Sequence, residues 1–394
     1  MIKPIYLDYN GTTPHDPKVI AAMRPFLEVE FGNPSSGHWY GIAPKQALEA
    51  ARRQVAGILN CQPQEIFFTS GGTESNNHAI IGTARALRAK GNHIITSDFE
   101  HPAVLEVCRF LGGDGFETTY LPVSADGLVD PAAVKKAIRP TTILITVMHA
   151  NNEVGTIQPM AEIAKIARQR GIVMHTDAAQ SVGKIPTDVQ ELGVDLLSVA
   201  GHKVYAPKGI GALYVRPPFR PENFCHGAGQ ESGRRAGTEN LLEIVGLGMA
   251  CEIAARDLQP NMAHMRQLRD RLQHGLTGAL PDVHLNGHPE KRLPNTLNLS
   301  FEGVEANRIL EEIGLEVAAS AGAACHSDTV EISHVLKALR VPMEWAKGTL
   351  RFSVGRMTTV AEIDRAIDIV TGAVTKLRKG KRSQGTASAA LSGA

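Results

Sequence analysis

From about residue 65 to residue 215 the chain switches repeatedly between short β-rich apolar runs and stretches of helical periodicity. That alternation restricts it to an α/β fold with a mostly parallel sheet and helices on both faces, because each parallel strand needs a long crossover to return the chain. The runs are Ile66 to Thr69, His93 to Thr96, Thr118 to Leu121, Thr142 to Met148, Ile172 to His175, Leu196 to Val199 and Gly211 to Val215. Helix patterns lie between several of them, at Ala103 to Leu111, Ala132 to Ile138 and Ala161 to Arg170. At 394 residues the chain exceeds what one core supports, so two domains are expected. The larger takes 14–257; a smaller α+β domain takes 1–13 and 258–378, with a long amphipathic helix at Met262 to Leu280 and an Asn- and Pro-rich stretch at 286–298. Residues 379–394 are basic, then small and polar, and are expected to be a disordered tail. No internal repeat interrupts the pattern.

The apolar runs close on polar residues, and in an open α/β sheet ligands sit outside the carboxyl ends of the strands. Ser198-Val-Ala-Gly-His-Lys203 ends in a lysine and Val173-Met-His-Thr-Asp177 in a carboxylate. Together they suit pyridoxal phosphate, which needs a lysine to carry it as a Schiff base and a carboxylate to keep its ring nitrogen protonated. Taken singly, Gly-His-Lys is an ordinary polar loop and Asp177 an ordinary helix cap. Phe67 to Ser75 passes through Gly71-Gly72-Thr73 into a helix pattern, and glycines ahead of a helix start let the backbone amides approach a phosphate. His101 follows another strand, where it either stacks on the cofactor ring as an acid or base or simply caps a helix. Asn152 and Gln180 are candidate donors to the ring oxygen.

Composition removes other classes. With 41 basic and 40 acidic residues the chain lacks the charge excess of a nucleic-acid or anionic-membrane binder. The first residues contain no apolar run of signal-peptide length, so a cytoplasmic location is expected. Cys61, Cys108, Cys225, Cys251 and Cys325 are scattered without a Cys-x-x-Cys pair, which suggests neither a metal site nor a disulfide framework. Most are expected to be small buried residues.

Tyr6-Leu-Asp-Tyr-Asn-Gly-Thr-Thr-Pro14, Phe31-Gly-Asn-Pro34, the Ser198 to Lys203 stretch, Arg235-Ala-Gly-Thr-Glu-Asn240 and Leu350-Arg-Phe-Ser-Val-Gly-Arg356 closely match one family. Over nearly its whole length the chain resembles the class I cysteine desulfurases, NifS/IscS-like enzymes of fold type I among the pyridoxal phosphate proteins, and it also resembles selenocysteine lyase. The resemblance implies that Lys203 carries the cofactor, Asp177 pairs with the pyridine nitrogen, Asn152 and Gln180 contact the ring oxygen and His101 stacks over the ring. It gives the phosphate to Gly72, Thr73 and His202, with Thr238 reaching the other subunit's phosphate in a homodimer. It makes Cys325, in the mobile loop Ser320-Ala-Gly-Ala-Ala-Cys-His-Ser-Asp328, the catalytic thiol. By the same resemblance Arg351, with Asn33 and Asn152, is expected to bind the substrate. The implied activity removes sulfur from L-cysteine, leaving L-alanine and a persulfide for an acceptor or scaffold protein, as in iron–sulfur cluster assembly.

Two positions depart from the family pattern. Ala200 stands where a serine is usual, a feature shared with selenocysteine lyases together with Ala323 to Asp328, and Gly11 stands where alanine is usual. Selenocysteine lyase is therefore the alternative expectation. An aminotransferase on the same fold, which leaves Cys325 without a role, and a catalytically silent sulfur-trafficking scaffold are the more distant ones.

Overall fold

The computed structural model describes residues 3–326 and 329–391, with side chains described for 3–322 and 332–380. Seven strands, Ile66–Thr69, His93–Ser97, Glu117–Leu121, Thr142–Thr146, Val173–Asp177, Leu196–Ala200 and Gly211–Val215, form one sheet. In hydrogen-bonded order they begin at residues 66, 211, 196, 173, 142, 93 and 117. Gly211–Val215 is antiparallel to both of its neighbours, and the other strands all run one way. Their carboxyl ends consequently share one edge. This is the mostly parallel sheet of fold type I.

Side-chain alternation along the strands feeds a core on each face. Ile94 and Leu144 pack with Ile80, Val104 and Leu111 from the helices Gly72–Ala86 and Pro102–Gly113. Ile95 and Ile145 point the other way, into a larger cluster with Val55 of the helix Trp39–Leu59, Ile163 of Met160–Gln169 and Leu247 of Leu241–Arg256. Strands buried on both faces read as continuous apolar runs, which is why their limits were legible. Shortening a fully buried side chain such as Ile95 to alanine costs about 2–5 kcal/mol.

A second core gathers Ile5 and Leu7, Leu268, Leu272 and Leu276 of the helix Leu258–Ala279, and Leu299, Phe301, Leu350 and Phe352 of a four-stranded antiparallel sheet. That sheet runs Ser320–Ala321, Thr349–Ser353, Thr296–Phe301, Val283–Leu285. Ile5–Tyr6 pairs in parallel with Val317–Ala318, so the start of the chain is stitched to its last third. The final helix spans Val360–Leu391 and runs on through the segment where composition suggested a tail. Leu377 packs against the second core, and the Arg378 guanidinium donates to the carbonyls of Pro281, Asp282 and Glu302, which anchors the helix up to the expected domain end. Among the described residues no helix is long and apolar enough to cross a membrane.

Candidate active site

Five of the polar strand endings meet in a cavity of about 280 Å³ at the shared carboxyl edge. Gly72, Thr73, His101, Asn152, Asp177, Gln180, His202, Lys203 and Arg351 all line it. The first two come from the helix start after Ile66–Thr69. Gly71 precedes them with φ at 150°, in a region essentially closed to residues with a side chain. A Cβ on Gly72 would lie 3.1 Å from that of Ala200 and 3.9 Å from that of Ala179, so three small residues floor this end. The loop is braced from behind. Glu231 accepts from the Phe68 amide at 2.8 Å and takes both arms of Arg52 at 2.7 and 2.8 Å, while Arg235 donates to Glu74 at 2.9 Å.

In the middle of the cavity, Asp177 is held by two donors, Asn76 Nδ2 at 2.6 Å and the Ala179 amide at 2.9 Å. Asn76 Oδ1 is buried without a partner. His101 both caps the helix Pro102–Gly113, its Nδ1 accepting from the Ala103 amide at 3.1 Å, and faces the cavity. The neutral ring therefore carries its proton on Nε2. Desolvation lowers its pKa below the ordinary 6.5, and Asp177 opposes that shift.

Residues from the start of the chain complete the wall. Lys203 Nζ donates to the carbonyls of Asn10 and, at 2.7 Å, Gly11. Burial, with help from the Arg351 charge, brings the Lys203 pKa down to about 8. Gln180 Nε2 donates to the Asn10 carbonyl at 3.0 Å, and its Oε1 accepts from buried Lys184 at 2.7 Å. Lys184 also donates to Asn10 Oδ1 at 3.3 Å, and burial holds its pKa well below 10.5. Arg351 NH1 donates to the Asn152 carbonyl at 3.1 Å, and its NH2 pairs with Asp8 at 2.6 Å.

An adjoining cavity of about 520 Å³ shares His101, Asn152 and Arg351 and extends to Glu153, Ser333 and His334. Above it the backbone of Ala323–His326 pairs with Thr329–Ile332 as a short antiparallel hairpin, Cys325 opposite Val330. The segment expected as a loop thus carries strand pairing, while the Cys325 side chain lies outside the described residues. Ser320 leads into the hairpin and donates to Asp8 at 2.9 Å. After it, Ser333 donates to Glu153 at 2.6 Å and His334 Nε2 pairs with the Glu100 carbonyl at 2.8 Å. Burial pushes the thiols of Cys61, Cys108 and Cys251 up to about 12, which leaves them protonated and unreactive at neutral pH.

Two expected residues stand apart from the cavity. Thr238 lines a separate hollow of about 200 Å³ with Thr69, Ser70 and Arg235. Asn33 is exposed, its Oδ1 accepting from the Ser35 amide at 2.8 Å, so its side chain is spent on a local turn and not on the pocket. Conversely Asn10, Asn76 and Lys184 belong to the site and were not singled out. Asn10 had a signal, its place in the conspicuous Asp8-Tyr-Asn-Gly stretch; Lys184 had none, being one lysine among many.

Residues 5–366 match the family model for aminotransferase class-V. The chain is 50% identical over 379 residues to the cysteine desulfurase IscS of Dictyoglomus turgidum, covering 96% of each. Among solved structures it is similar to a NifS-like protein, with a TM-score of 0.89 and 36% identity over 94% of this chain and 99% of the other. It is similar too to SspA in complex with cysteine, with a TM-score of 0.79 and 37% identity over 90% of this chain and 100% of the other.

Proposed function

The chain belongs to the class-V aminotransferase family, and we infer from that membership and from its cavity that it is a cysteine desulfurase working with pyridoxal 5'-phosphate. The observation that carries the reading is the convergence of Lys203, Asp177 and Arg351, a lysine, a carboxylate and a carboxylate-binding guanidinium, on one cavity. Three features fit the cofactor. The floor of Gly72, Ala179 and Ala200 leaves room that any Cβ at 72 would fill. Asn76, which orients Asp177, keeps a buried oxygen unpaired. A lysine whose pKa is about 8 has a sizeable neutral fraction near physiological pH, as attachment to an aldehyde requires.

The phosphate is assigned to Gly72, Thr73 and His202, the ring oxygen to Asn152 and Gln180, and the pyridine nitrogen to Asp177. Bound there, the cofactor would draw electrons from the α-carbon of an amino acid. Arg351 fixes the substrate carboxylate, Lys203 Nζ moves the α-proton, and His101 holds a proton on Nε2 beside it. The Cys325 thiolate then attacks the substrate sulfur. The carbon–sulfur bond breaks with its electron pair left on the carbon fragment, which ends as L-alanine, and a sulfur–sulfur bond forms as a persulfide on Cys325. An acceptor protein takes the sulfur onward, as in iron–sulfur cluster assembly.

A homodimer is part of the reading. Phe31 and Trp39 are 77 and 75% exposed and both stack near the Tyr40 ring, at 5.4 and 5.7 Å, an exposed aromatic group suited to a second copy. Thr238, outside its own chain's cavity, would serve that copy's phosphate. Initial rates of alanine formation from L-cysteine and L-selenocysteine, with the native protein and Cys325→Ala, test the function. Turnover of cysteine that Cys325→Ala abolishes, with a persulfide on Cys325 by mass spectrometry, is the expected result; turnover of selenocysteine alone makes the protein a selenocysteine lyase.

A further inference from the structure

We propose that Asp8 is a resident carboxylate on Arg351, seated there because Gly11 has no side chain, and that the substrate carboxylate binds by taking its place. The inference rests on the reading of Arg351 as the substrate anchor. Arg351 leaves the antiparallel sheet with its guanidinium largely buried. NH2 donates to Asp8 Oδ1 at 2.6 Å and to Ser320 Oγ at 3.0 Å, NH1 donates to the Asn152 carbonyl at 3.1 Å, and Nε is buried without an acceptor. The anchor is thus filled on one side by a carboxylate of its own chain and unsatisfied on another.

Gly11 makes that arrangement sterically possible. A Cβ at position 11 would collide with Asp8 Oδ2 and would stand only 2.9 Å from Asp8 Cγ. The Gly11 backbone is not left-handed, so no positive φ calls for glycine here, and what a side chain would meet is the carboxylate beside it. An alanine there drives the Asp8 side chain off its present position.

Chemistry favours exchange over permanent pairing. Asp8 meets the guanidinium through a single oxygen, whereas a free carboxylate can present two to the planar fork and reach the idle Nε–H. Backbone bonds hold the main chain of Asp8, with Gly11 N and Tyr6 Oη donating to its carbonyl at 2.9 and 3.1 Å, so exchange moves only the side chain. Its carboxylate is 24% exposed and has water to turn towards. While it stays, it shields Arg351, and a ligand without a carboxylate gains nothing from the arginine. Asp8 is in these terms a specificity-determining residue that sets the threshold for the substrate acid group.

The test uses holoenzyme and propanoate, which has the acid but not the amine, with propylamine as the ligand lacking the acid. Calorimetric dissociation constants are compared for the native protein, Asp8→Asn, Gly11→Ala and Arg351→Gln, alongside KM for L-cysteine. Removing the competitor tightens propanoate by roughly three- to tenfold in both Asp8→Asn and Gly11→Ala, the scale of a partly exposed ion pair, lowers KM, and leaves propylamine where it was. Propanoate that binds equally or more weakly in those two variants overturns the exchange and makes Asp8 a support for Arg351. Arg351→Gln loses propanoate; if it does not, the anchor itself is misassigned and the proposal falls with it, a failure separable from the first because it appears in the arginine variant alone.

Discussion

Lys184 sits with its Nζ between Gln180 Oε1 and Asn10 Oδ1 and pairs with no carboxylate among the described residues. An amine so placed is costly to bury, so its retention points to what it does for Gln180: by occupying the amide oxygen it fixes the NH2 group as the donor to the Asn10 carbonyl on the cavity wall. Lys184→Met is expected to leave the apo-protein no less stable by urea unfolding, since a buried charge goes, and to weaken pyridoxal 5'-phosphate about tenfold in a fluorescence titration. Equal losses in both measurements would reduce Lys184 to a packing role. Lys203 yields a second expectation. If Lys203 carries the cofactor as proposed, only its neutral amine takes it up, and the rate at which visible absorbance appears on adding pyridoxal 5'-phosphate to apo-protein is expected to rise with pH through about 8. The Asp8 charge raises that pKa, so Asp8→Asn moves the midpoint downwards. A rate flat from pH 6.5 to 9.5 would contradict the assignment, the bracket being about 1.5 units on either side of the midpoint.

The turn from Ile66–Thr69 into the helix Gly72–Ala86 depends on Gly71 at φ 150°. Gly71→Ala places a side chain in a forbidden region and is expected to cost about 1–3 kcal/mol in urea unfolding while also weakening cofactor binding, because the strain is relieved by moving the Gly72 and Thr73 amides. Elements of this kind were readable beforehand, since a strand buried on both faces is a short apolar run and its polar closing residue announces the functional edge. Five such closings converged as expected. What escaped was whatever the fold brings from far along the chain: Asn76 reaches Asp177 across 101 residues and Asn10 reaches Lys203 across 193, and no local pattern encodes such a meeting. Asn33 and Thr238 illustrate the converse, since a motif can be matched residue by residue while a single chain does not deliver its side chain to the cavity.

At the scale of the whole molecule, buried imidazoles govern the response to acid. Burial takes His149, His78 and His202 to about 4 and His175 to about 3, against 6.5 unfolded. Between those values the unfolded chain binds more protons, so stability falls as pH drops below 6.5. Glu100, raised to about 8 from 4.5, and Glu153, also raised, act with the opposite sign, because the folded state keeps protons that the unfolded chain releases. Four imidazoles outweigh these carboxyls on the acid side. Urea midpoints are therefore expected to drop from pH 6.5 towards pH 5, with a shallower drop in His175→Gln. A flat profile over that range would show that the imidazoles titrate normally.

The pairing of Ile5–Tyr6 with Val317–Ala318, and of Asp8 with Ser353, has a bearing on how the protein is made. Synthesis passes residues 5–11 long before it reaches 317–353, so this segment has no partner strand while the large sheet folds. Asn10 and Gly11, whose carbonyls accept from Lys203 Nζ, reach their posts only after residues 317–353 have been made. On the proposed reading of Lys203, cofactor capture in consequence waits for the strands at 317–353.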